Sequence, residues 1–192
     1  MSTIIFTGRF QPLHMGHIHM LEAIKRTFPD DLLLLCLIRN TIKIKAAKEE
    51  SAFHQLSQKK QTATNNPLPN WQRYRLLSLA VQGNEVLKEN TEIIFRNRSD
   101  LDWAESIADL PEDRIFVFPN YGKEEFDKQK VEFYRTKGER VEIIDFYDDN
   151  PGYSATAIRE HLKEYGPDAD LGFLPEVCRV YFKEECLKYF EI

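Results

Sequence analysis

Five short apolar runs alternate along the chain with stretches in which apolar residues recur at helical spacing. The runs cover residues 3–7, 32–38, 92–95, 114–118 and 141–146, and the helical stretches cover about 17–28, 71–81, 101–108 and 123–137. The run 32–38 is apolar almost without interruption, which is typical of a strand covered on both faces. Strands that alternate with helices predict a parallel sheet with right-handed crossovers. We therefore expect an α/β fold: a doubly wound, Rossmann-like parallel sheet of about five strands, with helices on both faces and a helical C-terminus.

Two stretches depart from this alternation. Residues 43–69 are polar and too long for an ordinary strand-to-helix connection, so we expect either a mobile flap or an inserted loop with a short helix of its own. Residues 154–192 have helical character and carry apolar side chains that are available for packing. Because no internal repeat or inter-domain linker is evident, residues 1–192 are predicted to form a single domain.

The connection between the first predicted strand and the first helix, residues 8–17, reads G-R-F-Q-P-L-H-M-G-H. Gly8 allows a tight turn, Pro12 stiffens the loop, and Gly16 permits close approach of a ligand to the backbone. A helix N-terminus presents free N–H groups and the positive end of a dipole, both of which suit a phosphate. Ligands of such sheets bind beyond the carboxyl ends of the strands, so this loop is the expected nucleotide site.

The composition restricts the classes of partner. A net charge of -5 argues against broad binding to nucleic acid, so an anionic ligand must meet a local group of basic side chains. Cys36, Cys178 and Cys186 lack the spacing of a zinc site or a disulfide framework and are expected as reduced thiols. Because no apolar run could span a bilayer and no secretory signal is visible, the sequence predicts a cytoplasmic protein without membrane contact.

A second motif lies far along the chain, where residues 153–159 read Y-S-A-T-A-I-R. Together with residues 8–17 it resembles the nucleotidyltransferase superfamily that is marked by an H-x-G-H signature. Within that superfamily the chain is most similar to the nicotinamide-mononucleotide (NMN) adenylyltransferases of the archaeal and bacterial type. These two motifs are specific, and they follow each other in the order that the family has.

Two shorter matches lie between the motifs. Asn66-Pro67 followed by Arg73 resembles a segment that opens the helix after the family's second strand. Trp103 lies close to the position at which the family has a tryptophan that stacks on the nicotinamide ring. The chain also departs from the family at two places. Gln72 replaces an acidic residue before the arginine, and the segment 119–122 alters a glycine-plus-polar pattern that recognises adenosine.

The resemblance implies a role for each matched residue. His14, His17 and Arg159 would be catalytic, with His17 the better candidate to stabilise the α-phosphate and Arg159 the partner of the leaving pyrophosphate. The residues implied in nucleotide or phosphate binding are Gly8, Arg9, Phe10, Gly16, Ser154, Thr156, Asn120 and Lys123.

Some of these residues also have ordinary structural interpretations. Trp103 and Arg73 would contact the acceptor, yet a helical tryptophan often packs in a core and Arg73 also fits a plain amphipathic helix. Arg9 could equally face solvent. The three histidines outside the motifs are expected at the surface: His19, His54 and His161.

The implied reaction is transfer of AMP from ATP to the phosphate of a mononucleotide. The incoming phosphate is already a nucleophile, so catalysis requires positioning and charge stabilisation rather than an activated serine. The sequence encodes no metal-ligand cluster. Mg²⁺ is expected to arrive on ATP and to be held mainly by phosphates and water.

Two alternatives remain open at this point. The same chemistry could act on another acceptor, such as phosphopantetheine, FMN, or a sugar or phosphonate phosphate, because residues 43–69 could build a different acceptor pocket. The chain could also be a nucleotide-binding sensor without turnover. The choice of ATP over CTP as the nucleotide donor rests on the resemblance. The resemblance also makes a homo-oligomer possible, but no sequence feature identifies an interface.

Overall fold

The computed structural model describes residues 2–40, 51–120, 125–145 and 154–190. In chain order the elements are β1 (Thr3–Gly8), α1 (Met15–Thr27), β2 (Leu32–Ile38), α2 (Ala52–Lys59), α3 (Asn70–Gln82), β3 (Thr91–Arg96), α4 (Trp103–Ile107), β4 (Arg114–Pro119), α5 (Glu125–Thr136), β5 (Val141–Ile144), α6 (Ala155–Tyr165) and α7 (Glu176–Tyr181). The chain after α7 forms a π-helical turn, Phe182–Cys186, and a 3-10 turn, Leu187–Tyr189.

The five strands form one parallel sheet in the order β3-β2-β1-β4-β5. In the central strand, Thr3 lies opposite both Leu32 of β2 and Arg114 of β4. The chain moves outward to one side through β2 and β3 and to the other side through β4 and β5, so the strand order reverses beside β1. This confirms the predicted α/β fold and places the loop after β1 at the switch point, where open α/β sheets bind ligands.

Alternate side chains of the strands pack into two hydrophobic cores, one on each face of the sheet. Ile4 and Phe6 of β1 point into the larger core, to which α1, α3, α6 and α7 contribute. Ile5 points into the smaller, aromatic core, to which α2, α4 and α5 contribute. We call these sides the α1 face and the α5 face. The period-2 alternation along β1 is what a strand covered on both sides requires.

The predicted elements are present, with shifted ends. The helix predicted at 71–81 spans Asn70–Gln82, and the one predicted at 101–108 shortens to Trp103–Ile107. The polar stretch 43–69 contains α2, which favours the loop with a helix of its own, while residues 43–50 lie outside the described ranges. The same is true of Phe146 at the end of the fifth predicted strand.

The three cysteines are buried and form no disulfide. Burial raises the pKa of each thiol to about 12, so all three remain protonated at neutral pH. Among the described helices none is both long and apolar enough to cross a membrane.

The segment between α6 and α7 contacts the start of α1. The backbone N–H of Met15 donates to the carbonyl oxygen of Phe173 at 2.8 Å, directly beside the motif. Phe182 is 0% exposed, and its ring lies 6.0 Å from that of Phe173 and 5.7 Å from that of Phe190. The C-terminal part is therefore continuous with the core on the α1 face.

We predict that Phe182→Ala lowers the free energy of unfolding by about 3–5 kcal/mol because it opens a cavity in this core. Val180→Ala, two residues earlier and 68% exposed, is the matched control and should change it by less than about 0.5 kcal/mol. Chemical denaturation followed by circular dichroism measures both. Loss of the C-terminal helices in a separate transition, with the sheet unaffected, would contradict the single-domain prediction.

Candidate functional site

The turn after β1 places the ring of Phe10 against the ring of His17, one of the two motif histidines. A Cβ atom added to Gly8 would lie 2.8 Å from the Phe10 ring, so glycine is needed there for close approach. Phe10 has a φ of 50° and is 1% exposed, and its ring centroid lies 4.9 Å from that of His17. The Phe10 side chain therefore supports His17 from below and is not itself open to a nucleotide.

His14 and His17 adopt a defined relative arrangement at the start of α1. His14 occupies the N-cap position, and its backbone N–H donates to Nδ1 of His17 at 3.3 Å. The two ring centroids are 3.7 Å apart. Since Nδ1 of His17 accepts a hydrogen bond, the neutral ring carries its proton on Nε2. Burial, assisted by the neighbouring His14, lowers the pKa of His17 well below its usual value. At neutral pH His17 is thus an uncharged donor through Nε2–H.

Arg159 reaches from α6 to the same loop. One terminal nitrogen donates to the carbonyl oxygen of Gln11 at 2.8 Å, and the other donates to Asn65 Oδ1 at 3.1 Å and Thr156 Oγ1 at 3.2 Å. Arg159 is 9% exposed, and burial lowers the pKa of its guanidinium. Arg159 therefore joins the late motif, the Gly8–His17 loop and the polar stretch that contains Asn65.

Arg9 lies between these groups and is partly buried. It donates to the carbonyl oxygen of Lys60 at 2.9 Å and contacts Asn66 Oδ1 at 3.5 Å. Burial, together with the positive charges of Arg159 and Arg98, lowers the pKa of Arg9 to about 10. Three guanidinium groups from distant parts of the sequence thus converge on one edge of the sheet, where an anion would relieve their repulsion.

Arg73 has a structural position. It is 0% exposed and donates to the carbonyl oxygens of Arg9 at 2.7 Å and Ile38 at 2.8 Å, and also to Asn70 Oδ1. Burial and the charge of Arg9 lower its pKa to about 10. The guanidinium of Arg73 is directed at main-chain carbonyls and closed to solvent, and its contact with an acceptor phosphate stays a prediction.

Trp103 packs in the aromatic core of the α5 face. Its ring centroid lies 5.3 Å from that of Tyr134 and 5.8 Å from that of Phe133, both in edge-on geometry. The buried guanidinium of Arg96 lies 5.9 Å from the Trp103 ring. These contacts correspond to the core-packing interpretation of Trp103, and stacking on an acceptor ring stays a prediction.

The remaining motif residues have the following positions. Ser154 caps α6, with its hydroxyl accepting from the N–H of Ala157 at 3.1 Å, and Thr156 is exposed beside Arg159. Gly16 is buried in the first turn of α1. The backbone N–H of Asn120 donates to Ile144 O at 2.9 Å at the carboxyl end of β4. Lys123, predicted to bind phosphate, lies outside the described residues.

A buried ionic cluster holds α2 onto the loop after β3. Asp100 accepts from Arg98 Nε at 3.1 Å and lies 3.0 Å from His54 Nδ1, while Arg98 also donates to Ser57 Oγ at 3.1 Å. His54 is 5% exposed, so the prediction that it is a surface residue is wrong. One signal for this cluster was available from the sequence: the opposite charges of Arg98 and Asp100, two positions apart, after an apolar strand. Their partner on α2 could not be found from spacing.

A partly open cavity of about 110 Å³ lies between α2, α5 and the carboxyl ends of β1 and β2. The charged side chains that line it within the described ranges are Arg9, Lys60, Arg98, Asp100 and Lys130. The sequence analysis missed Lys60 and Lys130, because lysines on helices are usually solvated. A wider, open depression of about 710 Å³ lies between α1, α3 and α7, and none of the proposed catalytic residues lines it.

The described residues offer no group of three or more His, Cys, Asp and Glu side chains that could hold a metal ion. Among the charged groups that line the adjacent cavity, basic side chains outnumber the one carboxylate, Asp100.

Comparisons with known proteins give a consistent but coarse result. The cytidylyltransferase-like family model matches residues 5–55, which include most of β1, the Gly8–His17 loop and α1. The fold is shared with a bifunctional NMN adenylyltransferase/ADP ribose pyrophosphatase from Francisella tularensis, solved in complex with AMP and a Mn ion. That similarity has a TM-score of 0.58 at 14% identity and covers 98% of this chain. This chain spans 50% of that protein.

No match was found among curated protein sequences. The family match and the shared fold together support a relationship to the nucleotidyltransferase superfamily.

We predict that Arg73→Met lowers the free energy of unfolding by about 2–5 kcal/mol, because it leaves the buried carbonyls of Arg9 and Ile38 without donors. Arg75→Met is the matched control, since Arg75 is exposed on the same helix and its loss should have an effect within about 0.5 kcal/mol. Thermal and denaturant unfolding measure the difference. Equal effects of the two substitutions would contradict the structural position assigned to Arg73.

We also predict that His17 titrates below its usual value of about 6.5 and carries its neutral proton on Nε2. Because the folded-state pKa lies below that of the unfolded chain, His17 reduces stability as the pH falls below about 6.5 and has no such effect above it. Imidazole ¹⁵N chemical shifts across a pH titration report both properties, with His17→Gln used for assignment. A proton on Nδ1, or a midpoint at or above 6.5, would be inconsistent with the hydrogen bond from His14.

Proposed function

We propose that this protein is an adenylyltransferase that makes a pyridine dinucleotide. An oxygen of the phosphate of nicotinamide or nicotinate mononucleotide attacks the α-phosphorus of MgATP. The bond between the α-phosphorus and the oxygen bridging to the β-phosphate breaks, and pyrophosphate leaves. The product is NAD or its deamido form.

The observation that carries this proposal is the convergence of a neutral His17 and two arginines at the switch point of the sheet. His17 presents Nε2–H as a donor whose orientation is fixed by the hydrogen bond to Nδ1. Arg9 follows β1, and Arg159 arrives from α6 and donates to the carbonyl oxygen of Gln11. Donors that are already in place at the developing charge are the main requirement of phosphoryl transfer.

Each group has a separate task in the proposed reaction. Nε2–H of His17 stabilises the negative charge that builds on the α-phosphate oxygens as the nucleophile approaches. Arg159 holds the pyrophosphate as it leaves, exchanging its contacts with Asn65 and Thr156 for phosphate oxygens. Arg9 lies between the two and orients the incoming phosphate. Because His17 is uncharged, it can donate without repelling the neighbouring cations.

The similarity of the fold to an NMN adenylyltransferase that was solved with AMP supports adenylyl transfer, and so does the match of residues 8–17 and 153–159 to that family's motifs. The cytidylyltransferase-like name of the family model makes CTP the alternative donor to test. The product would place the enzyme in pyridine nucleotide biosynthesis.

We predict that purified protein releases pyrophosphate from ATP and Mg²⁺ when a pyridine mononucleotide is present, and that His17→Ala lowers kcat by about 10²–10³-fold through loss of one preorganised donor. His161→Ala is the matched control, because His161 is bound to the carbonyl oxygen of Asp170 away from the motif. Its activity should equal that of the wild type. Coupled detection of pyrophosphate and chromatography of the dinucleotide measure the reaction.

Parallel reactions with CTP, and with phosphopantetheine, FMN and sugar phosphates as acceptors, test the assignment of substrates. Turnover of one of these with no turnover of either pyridine mononucleotide would replace the proposed acceptor. Tight binding of a dinucleotide with no pyrophosphate from any pair would instead favour a sensor.

A further inference from the structure

Two adjacent asparagines lie on the polar stretch between α2 and α3, and their side-chain amides have different partners. Asn66 Nδ2 donates to the carbonyl oxygens of Lys60 and Thr62, both at 3.0 Å. Asn65 accepts from Arg159 through Oδ1 at 3.1 Å, and its Nδ2 has no hydrogen-bond partner among the described residues. The amide nitrogen of Asn66 is thus bound to the main chain, whereas that of Asn65 keeps its N–H donors for a ligand.

The orientation of the Asn65 amide follows from the chemistry of its partner. A guanidinium has only N–H donors, so the amide oxygen must face Arg159 and Nδ2 must lie on the other side. Asn65 Oδ1 therefore occupies a position from which an anion would accept a hydrogen bond of Arg159. In the structure without a nucleotide, a neutral oxygen of the protein takes the place of a phosphate oxygen.

The main chain around Asn65 is held by its neighbours. The N–H of Asn65 donates to Thr62 Oγ1 at 3.1 Å and to the carbonyl oxygen of Thr62 at 3.2 Å. Further along, the N–H of Leu68 donates to Gln11 Oε1 and Gln11 Nε2 donates to Leu68 O, both at 2.9 Å. The carbonyl oxygen of Gln11 in turn accepts from Arg159. The polar stretch is therefore fixed relative to Arg159, and the amide of Asn65 can turn without movement of its main chain.

We propose that Asn65 is a further pyrophosphate-binding residue, whose amide accepts from Arg159 in the free protein and turns to donate through Nδ2 when phosphate oxygens take its place. This inference rests on the proposed function, in which Arg159 exchanges its contact with Asn65 for the leaving pyrophosphate. After that exchange, Asn65 Oδ1 and a phosphate oxygen would face each other as two acceptors. Half a turn of the terminal amide about its Cβ–Cγ bond, a torsion with broad wells, replaces this repulsion by a hydrogen bond.

An amide is suited to both states, whereas a charged group at this position suits one of them. A carboxylate would accept from Arg159 but repel a phosphate, and an ammonium would donate to a phosphate but repel Arg159. The exchange replaces one hydrogen bond between a neutral oxygen and a cation by an ion pair and a second charge-assisted hydrogen bond. It therefore favours the bound state.

The deciding experiment measures the affinity of the full chain for inorganic pyrophosphate with Mg²⁺ by calorimetry. Asn65→Ala should weaken binding by about tenfold through loss of one charge-assisted hydrogen bond. Asn65→Asp should weaken it by about a hundredfold, because the carboxylate keeps Arg159 occupied and repels the anion. Thr64→Ala removes an exposed hydroxyl from the neighbouring position and is the matched control, which should bind as the wild type does.

The sign of the Asn65→Ala effect separates a direct contact from mere occupation of Arg159. If Asn65 only occupied that guanidinium, its truncation would free the donors and tighten the binding of pyrophosphate. Unchanged or tighter binding therefore overturns the inference, and so does a wild type that does not bind pyrophosphate.

The side-chain amide signal of Asn65 in a ¹⁵N–¹H spectrum gives a readout that a loss of stability would not move. It is assigned by its absence from the spectrum of Asn65→Ala. One of its two protons should shift downfield when pyrophosphate saturates the wild type, because a phosphate oxygen deshields a proton that it accepts. An amide signal that does not move would contradict the proposed contact.

Both measurements use pyrophosphate alone, so their result does not depend on the acceptor or on turnover. Absence of turnover with every pair of substrates, together with pyrophosphate binding that Asn65→Ala weakens, would support the inference and overturn the proposed function. Turnover that pyrophosphate inhibits equally in the wild type and in Asn65→Ala would leave the proposed function standing and overturn the inference.

Discussion

The fixed position of the loop after β1 depends on one buried guanidinium. Arg73 joins the carbonyl oxygens of Arg9, the first residue after β1, and Ile38, the last residue of β2. A parallel sheet ends in unpaired carbonyls at its carboxyl edge, and a buried carbonyl without a donor is costly. Arg73 satisfies two of them with one side chain from α3. The Gly8–His17 loop can therefore leave the sheet in a single direction, with Phe10 folded back under His17.

The buried guanidinium of Arg73 also adds a positive charge beside that of Arg9. Arg73 is itself a buried cation, and it stands beside Arg9, whose own pKa is lowered by burial, Arg159 and Arg98. Bringing like charges together in a region of low solvent access opposes folding unless an anion is present. In the proposed reaction, the phosphates of the two substrates would reduce this repulsion between the neighbouring guanidinium groups.

The sequence was sufficient for the parts of the molecule that local patterns control. The strand at Leu32–Ile38 is evident from its unbroken apolar run, and the start of α1 follows from the glycines and histidines around it. The part of the candidate site that lies on the single Gly8–His17 loop could be predicted from the sequence. Arg73 could not be assigned in this way, because nothing in the helical pattern distinguishes a guanidinium that reaches a substrate from one that reaches a carbonyl. His54 was assigned to the surface for the same reason, since its partner Asp100 lies 46 positions away.

The polar stretch that begins before α2 illustrates how much specificity a loop can carry on a common fold. Asn65 and Lys60 offer oxygen acceptors to Arg159 and Arg9, so this stretch closes around the two arginines from outside. The ionic cluster of His54, Asp100 and Arg98 fixes α2 against the sheet. Without that cluster Lys60 would have no defined place above Phe126, and the charge of the cavity would vary with the motion of α2. In the proposed reaction the motif at the start of α1 would supply the donors to the phosphates, whereas the buried contacts of α2 hold the polar stretch against Arg9 and Arg159.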